Sequence, residues 1–167
     1  MRHVISILLQ NEAGALSRVA SLFSTRGYNI ESLSVAPTED PQVSRLTLVS
    51  IGSDQVINQI THQLFKLVDV VNIADMTMGD HIERELMLIK LTIPDDASLR
   101  IVTDLANKQD VRVLDDALAN YTLELTGSSG HLDEFIDRVI EHAQIMAVVR
   151  SGPLSVARGQ QVLSAAS

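Results

Sequence analysis

Residues 11–30 read NEAGALSRVASLFSTRGYNI, and this stretch decides how its neighbours are read. Leu16, Val19, Ala20 and Phe23 recur at helical spacing, and Gly27 stands where a left-handed glycine closes a helix. Upstream, HVISILLQ (3–10) is apolar and β-branched enough for a buried strand. Downstream, IESLSVA (30–36) alternates, with Ile30, Leu33 and Val35 offset by one register step. PTEDP (37–41) is a turn cluster, and VSRLTLVSI (43–51) reads as the returning strand of a hairpin. Val56, Ile57, Ile60, Leu64 and Leu67 then form a second helical stripe before a strand near 69–76. The order β-α-β-β-α-β is the ferredoxin-like arrangement, two helices covering one face of an antiparallel sheet.

The same grammar runs again after Met78-Gly79-Asp80. RELMLIKLTI (84–93) is a strand, and Asp95 and Asp96 start a helix carrying Leu99, Val102 and Leu105. Residues 111–117 and 119–126 pair as a hairpin. TGSSGHLDEF opens a helix with Leu132, Phe135, Ile136, Val139 and Ile140 on one side, and IMAVVR (145–150) closes the unit. The expected fold is α+β, two consecutive ferredoxin-like βαββαβ domains at 1–78 and 79–160 with a tail at 161–167. The stretch after Pro153 is small and polar, and partial disorder is expected there.

Composition narrows the chemistry. Apolar residues at 46% and charged residues at 20% suit a globular chain, whereas aromatics at 3% leave an aliphatic core and no platform for stacking bases. A net charge of −8 is the wrong sign for tracking phosphates, so nucleic-acid binding is not expected. With no cysteine there is no disulfide, thiolate nucleophile or Cys-ligated metal. The opening apolar run Val4–Leu9, interrupted by Ser6 and stopped by Asn11-Glu12, is too short for a signal-peptide core. No stretch approaches a membrane span, and the expectation is a soluble cytoplasmic protein.

The first strand-to-helix loop is the place where this chain offers chemistry. Asn11 serves as a cap or turn residue on the plain reading, and Gly14 serves backbone geometry. On the functional reading, open N–H groups at the positive helix end hold a carboxylate without a basic side chain. Asn29 adds an amide that accepts from an ammonium group, so a small amino acid fits better than a phosphate. The five histidines His3, His62, His81, His131 and His142 lack ligand spacing, so no metal site is expected. His81, Glu83, Arg84 and Glu85 read as a solvated, charge-dense linker. Gly127-Ser128-Ser129-Gly130 lacks the Lys-Ser/Thr of a P-loop and reads as a capping loop. No catalytic triad or carboxylate pair stands out.

NEAGALSRVASLFSTRGYNIESLSVAPTEDP resembles the amino-terminal segment of the acetohydroxyacid (acetolactate) synthase small subunits. KLVDVVNIADM (66–76), HIERELMLIK (81–90), SGHLDEFI (129–136) and RSGPLSVARG (150–159) extend the likeness along nearly the whole chain. It is weakest over 95–125, and Pro153 stands where an aliphatic residue is common. The resemblance implies that the first domain is an ACT domain, paired across a two-fold axis into a homodimer. It also implies feedback inhibition by valine at the shared interface. Asn11, Gly14 and Ala15 of one chain would face Asn29 and Ile30 of its neighbour.

The resemblance further implies a non-catalytic regulatory subunit that activates a catalytic large subunit. Thiamine diphosphate, magnesium and flavin would belong to that partner, and this chain would carry no cofactor and no catalytic residue. The alternative is a stand-alone ACT-domain sensor of another amino acid, acting on another protein. An acyl-phosphate hydrolase on the same scaffold would need a basic cradle where this loop has Gln10, Asn11 and Glu12.

Overall fold

The computed structural model describes residues 1–160 and 162–165. They form two compact units: Met1–Glu83 together with the chain from Pro153 onward, and Arg84–Gly152. The first unit holds β1 (Arg2–Gln10), α1 (Ala15–Thr25), β2 (Ile30–Pro37), β3 (Val43–Ile51), α2 (Asp54–Leu64) and β4 (Val70–Asp75). Its strands lie in the order β2-β3-β1-β4, and each neighbouring pair is antiparallel. Ile5, Ile7 and Leu9 alternate onto the face packed by Val19 and Phe23 of α1 and Ile57, Ile60 and Leu64 of α2. Ser53 caps α2, its hydroxyl accepting from the Val56 N–H. Of the expected α1 stripe, Val19 and Phe23 are buried, but Leu16 turns outward and Ala15 takes the inward place. A buried arc over the sheet follows positions 15, 19 and 23 at four-residue steps.

Among the described residues, no helix covers the opposite face of this sheet, yet it is not open to water. Ser6 and Thr47 are cross-strand partners there, 0% and 3% exposed. Its cover is the carboxy-terminal return: Ala157 packs on Val4, Val49 and Met76. The Leu163 carbonyl accepts from Arg45, and the Ser164 carbonyl accepts from Asn72. The stretch after Pro153, expected to be partly disordered, is therefore structured through much of its length, and Leu154–Ala157 forms β9. The Arg158 N–H donates to the Asp80 carbonyl at 2.9 Å.

The second unit repeats the order with β5 (His81–Thr92, entering the unit at Arg84), α3 (Asp96–Lys108), β6 (Arg112–Asp115), β7 (Tyr121–Gly127), α4 (Ser129–Val139) and β8 (Gln144–Arg150). The sheet order β6-β7-β5-β8 matches that of the first sheet. Its core joins Met87, Ile89 and Leu91 to Val102, Leu123, Leu132, Phe135 and Val139, while Ile140 stands 60% exposed beyond the end of α4. Asp95 caps α3 by accepting from the Ser98 N–H, and Ser128 caps α4 by accepting from the His131 N–H. The Gly-Ser-Ser-Gly run is thus a capping loop.

The charge-dense segment 81–85 is not a solvated linker but the start of β5. Glu85 is 5% exposed, gripped through both carboxylate oxygens by Arg150 at 2.9 and 2.8 Å and by the Ser129 hydroxyl at 2.9 Å. Burial is the strongest single influence and pushes this carboxyl up. The Arg150 and Ser129 hydrogen bonds together outweigh it, holding Glu85 below the usual carboxylate range. An alternation that places position 85 inward needs a cation beside it, and Arg150 comes from β8.

Candidate functional site

At the end of β1 the chain must turn into α1 within four residues, and it does so by tying its backbone to neighbouring turns. The Asn11 N–H donates to the Gln42 carbonyl and the Asn11 amide to the Pro41 carbonyl, anchoring the loop to the β2–β3 turn. Asn11 is therefore not the helix cap. That position falls to Gly14, at φ +90°, with no side-chain capping bond. Such a backbone conformation strains any residue with a Cβ. The Ala15 N–H reaches the Glu12 carbonyl and the Arg18 N–H reaches the Gly14 carbonyl. Among the described residues, the N–H groups of Leu16 and Ser17 meet no acceptor. They lie at the positive end of α1, a position that favours negative charge.

Beside this terminus is a groove of about 240 Å³. Leu9, Ala15, Leu16 and Val35 give it an apolar lining, and Gln10, Asn11, Glu12 and Ser44 give it polar atoms. A branched aliphatic side chain and a zwitterionic head match the two kinds of wall.

Arg18 was not among the expected site residues. Lying one turn past Gly14, its side chain leans back toward the helix start, as helical side chains do. Its guanidinium passes so close to Gly14 that a Cβ there would meet Nη1 at 2.8 Å. Nη2 donates to Asp69 Oδ1 at 2.7 Å and Nε to Oδ2, and Asp69 is 3% exposed. The Asp69 carbonyl also accepts from the Gln10 N–H at 2.8 Å. Through its carbonyl and its carboxylate, Asp69 thus ties the end of β1 to the first turn of α1. The Arg18 hydrogen bond lowers the Asp69 carboxyl from its ordinary value and raises the Arg18 guanidinium. No local spacing signals the pair, because its halves are 51 positions apart.

Asn29 and Ile30 lie elsewhere. Ile30 pairs with Ser50, whereas Pro37, at the groove, pairs with Ser44. Seven residue steps of extended strand separate them, about 23 Å. Asn29 is exposed, its amide donating to Glu31 Oε1 at 2.7 Å and its carbonyl accepting from the Ser50 hydroxyl. Within one chain, then, the structure brings Asn11, Gly14 and Ala15 together and keeps Asn29 and Ile30 at the far end of β2. No helix among the described residues is long and apolar enough to cross a membrane.

The βαββαβ order of the first unit is that of an ACT domain. Residues 5–72 match the family model of the acetohydroxyacid synthase small subunit-like ACT domain, and residues 84–159 match that of the small subunit of acetolactate synthase. The chain is 44% identical over 165 residues to the acetolactate synthase isozyme 3 small subunit of Escherichia coli (strain K12), covering 98% of this chain and 99% of that one. It is 43% identical over 161 residues to the acetolactate synthase small subunit of Haemophilus influenzae, covering 96% and 98%. The crystal structure of the acetolactate synthase small subunit from Thermotoga maritima superposes with a TM-score of 0.85 at 30% identity, covering 96% of this chain and 99% of that one. The chain belongs to the acetolactate synthase small-subunit family.

Proposed function

We propose that this chain is a non-catalytic regulatory subunit that binds a catalytic large subunit, raises its activity and makes it responsive to valine. The observation that carries the reading is the position of the groove at one end of an edge strand. Among the described residues, β2 has a neighbouring strand on one side only, β3. If two copies pair antiparallel along β2, the start of one strand lies against the end of the other. Asn29 and Ile30 of the second copy then close the groove at Val35–Pro37, completing a site that one chain leaves half built. Leu16 and Ser17 N–H hold the valine carboxylate, Asn29 Oδ1 accepts from its ammonium group, and Leu9, Ala15, Leu16 and Val35 take the isopropyl group. Residues 1–78 would be the effector-binding domain and 79–160 the second regulatory domain, in the cytoplasm with their catalytic partner.

Valine regulates only if it binds two arrangements of the complex unequally, and couplings of about 1–3 kcal/mol are typical. An effector that bridges two chains reports on their relative rotation, which suits that role. The test is complementation. Asn11→Ala and Asn29→Ala each abolish valine binding by calorimetry on the isolated chain. Mixing the two after unfolding and refolding restores roughly a quarter of the sites, because half the dimers are mixed and each mixed dimer has one intact site. No recovery on mixing sinks the shared site. A different amino acid outcompeting valine transfers the case to a sensor of that amino acid.

A further inference from the structure

The helix-free face of the first sheet is built from unusual material. Pleating places Ser6 of β1, Ser34 of β2, and Arg45 and Thr47 of β3 on this side. An interior face of hydroxyls around an arginine is not what a purely structural cover would select, since buried polar groups cost free energy unless satisfied. Arg45 uses two donors, Nη1 to the Ser6 hydroxyl at 3.3 Å and Nη2 to the Leu163 carbonyl at 2.8 Å. Among the described residues it meets no carboxylate. A guanidinium has five N–H donors, so three remain.

Beside it lies a cavity of about 330 Å³ whose far wall is the carboxy-terminal return, at Leu154 and Ser155. Ser155 is 6% exposed, and its hydroxyl has no hydrogen-bond partner among the described residues. A buried, unpartnered hydroxyl and an uncompensated guanidinium lining one cavity ask for the same thing, an acceptor with negative charge. Val35, Pro37 and Leu154 supply apolar wall for a short tail, and Glu39 at the rim disfavours a second negative charge. We propose that this cavity binds a small aliphatic monocarboxylate, its carboxylate held by Arg45 and the Ser155 hydroxyl. The cavity meets the groove at α1 along Val35–Pro37 of β2, but its polar groups, Arg45, Thr47 and Ser155, are not among those that line the groove, and it needs no second chain. Because Ser155 belongs to the return, an occupied cavity fastens that segment to the sheet.

The test is an amide-resolved NMR titration of the full-length protein with butyrate, 2-aminobutyrate and inorganic phosphate. Butyrate should move the amide signals of Thr47 and Ser155 while leaving Leu16 and Ser17 in place. 2-Aminobutyrate moving the same signals also supports the site, as the carboxylate is common to both. Arg45→Gln should weaken butyrate about tenfold or more. Ser155→Ala should weaken it too, and this variant removes an unpartnered hydroxyl, so the fold survives even if Arg45→Gln does not. Asn11→Ala should leave the titration unchanged. Shifts confined to the α1 terminus, phosphate binding more tightly than butyrate, or no shift with any probe would overturn the proposal.

Discussion

Gly14→Ala separates the backbone role of this glycine from the space it leaves. At φ +90° an alanine incurs the left-handed penalty, about 1–2 kcal/mol. Its Cβ also arrives 2.8 Å from Arg18 Nη1. An arginine tip normally swings aside at little cost, but this one is the cation of a carboxylate only 3% exposed, and moving it uncouples Asp69. Gly27→Ala is the control. It has φ +72° and nothing within 4 Å of the added Cβ, so it carries the strain alone. Strain of this size lowers the melting midpoint by about 2–8 °C for a chain of this length. Gly14→Ala should fall clearly below Gly27→Ala by differential scanning calorimetry. In an Arg18→Gln background the two glycines should become equivalent, because the clash has lost its partner. Equal losses at the two positions in the wild-type background would refute the claim that Arg18 is held over the helix start.

Two further outcomes follow from packing and charge. Phe135 is fully buried in the second core, so Phe135→Ala should cost about 3–5 kcal/mol in urea unfolding, whereas Ile140→Ala, 60% exposed, should stay within about 0.5 kcal/mol. Parity of the two would place the core elsewhere. Glu85 is held below its ordinary pKa of 4.5, so the native state binds fewer protons than the unfolded one there. Its stabilising share is present above pH 4.5 and is lost as pH falls through the depressed native value. Glu85→Gln should therefore flatten the acid limb of a stability–pH curve, and superimposable acid limbs would remove the assigned role.

The sequence discloses this fold where burial follows local period. The strands and helices came out close to their observed bounds because Ile5, Ile7 and Leu9 alternate, and Val19 and Phe23 recur, on faces that near neighbours cover. It misleads where a partner comes from far along the chain. Glu85 looks solvated because its cation is 65 positions away, and the stretch after Pro153 reads as partly disordered because the residues that Ala157 packs on, Val4, Val49 and Met76, lie far back along the chain. The site divides in the same way. Gly14 was legible because a glycine between a strand and a helix signals special backbone, while Arg18 was not, because its meaning depends on Asp69. Leu16 was read as core because a four-residue period is fixed only to within one position until the buried face is known.

The interrupted apolar run of β1 has its explanation in the same long-range logic. A strand buried on both faces reads as continuously hydrophobic, and β1 does so from Val4 to Leu9 except at Ser6. Ser6 lies opposite Thr47, two positions from Arg45 along β3, and its hydroxyl accepts from that guanidinium. An alanine there would keep the face covered and leave one more arginine donor unmet inside the unit, at a cost of about 1–3 kcal/mol. The serine is thus the accommodation the strand makes for a cation placed beneath the carboxy-terminal return. A half-buried arginine that served packing alone would be easier to replace by leucine than to supply with a hydroxyl and a distant carbonyl. Arg45→Leu should accordingly fold, and should be at least as stable as the wild type when no ligand is present. If Arg45→Leu proves strongly destabilised instead, the arginine is a structural pin and the cavity beside it is incidental.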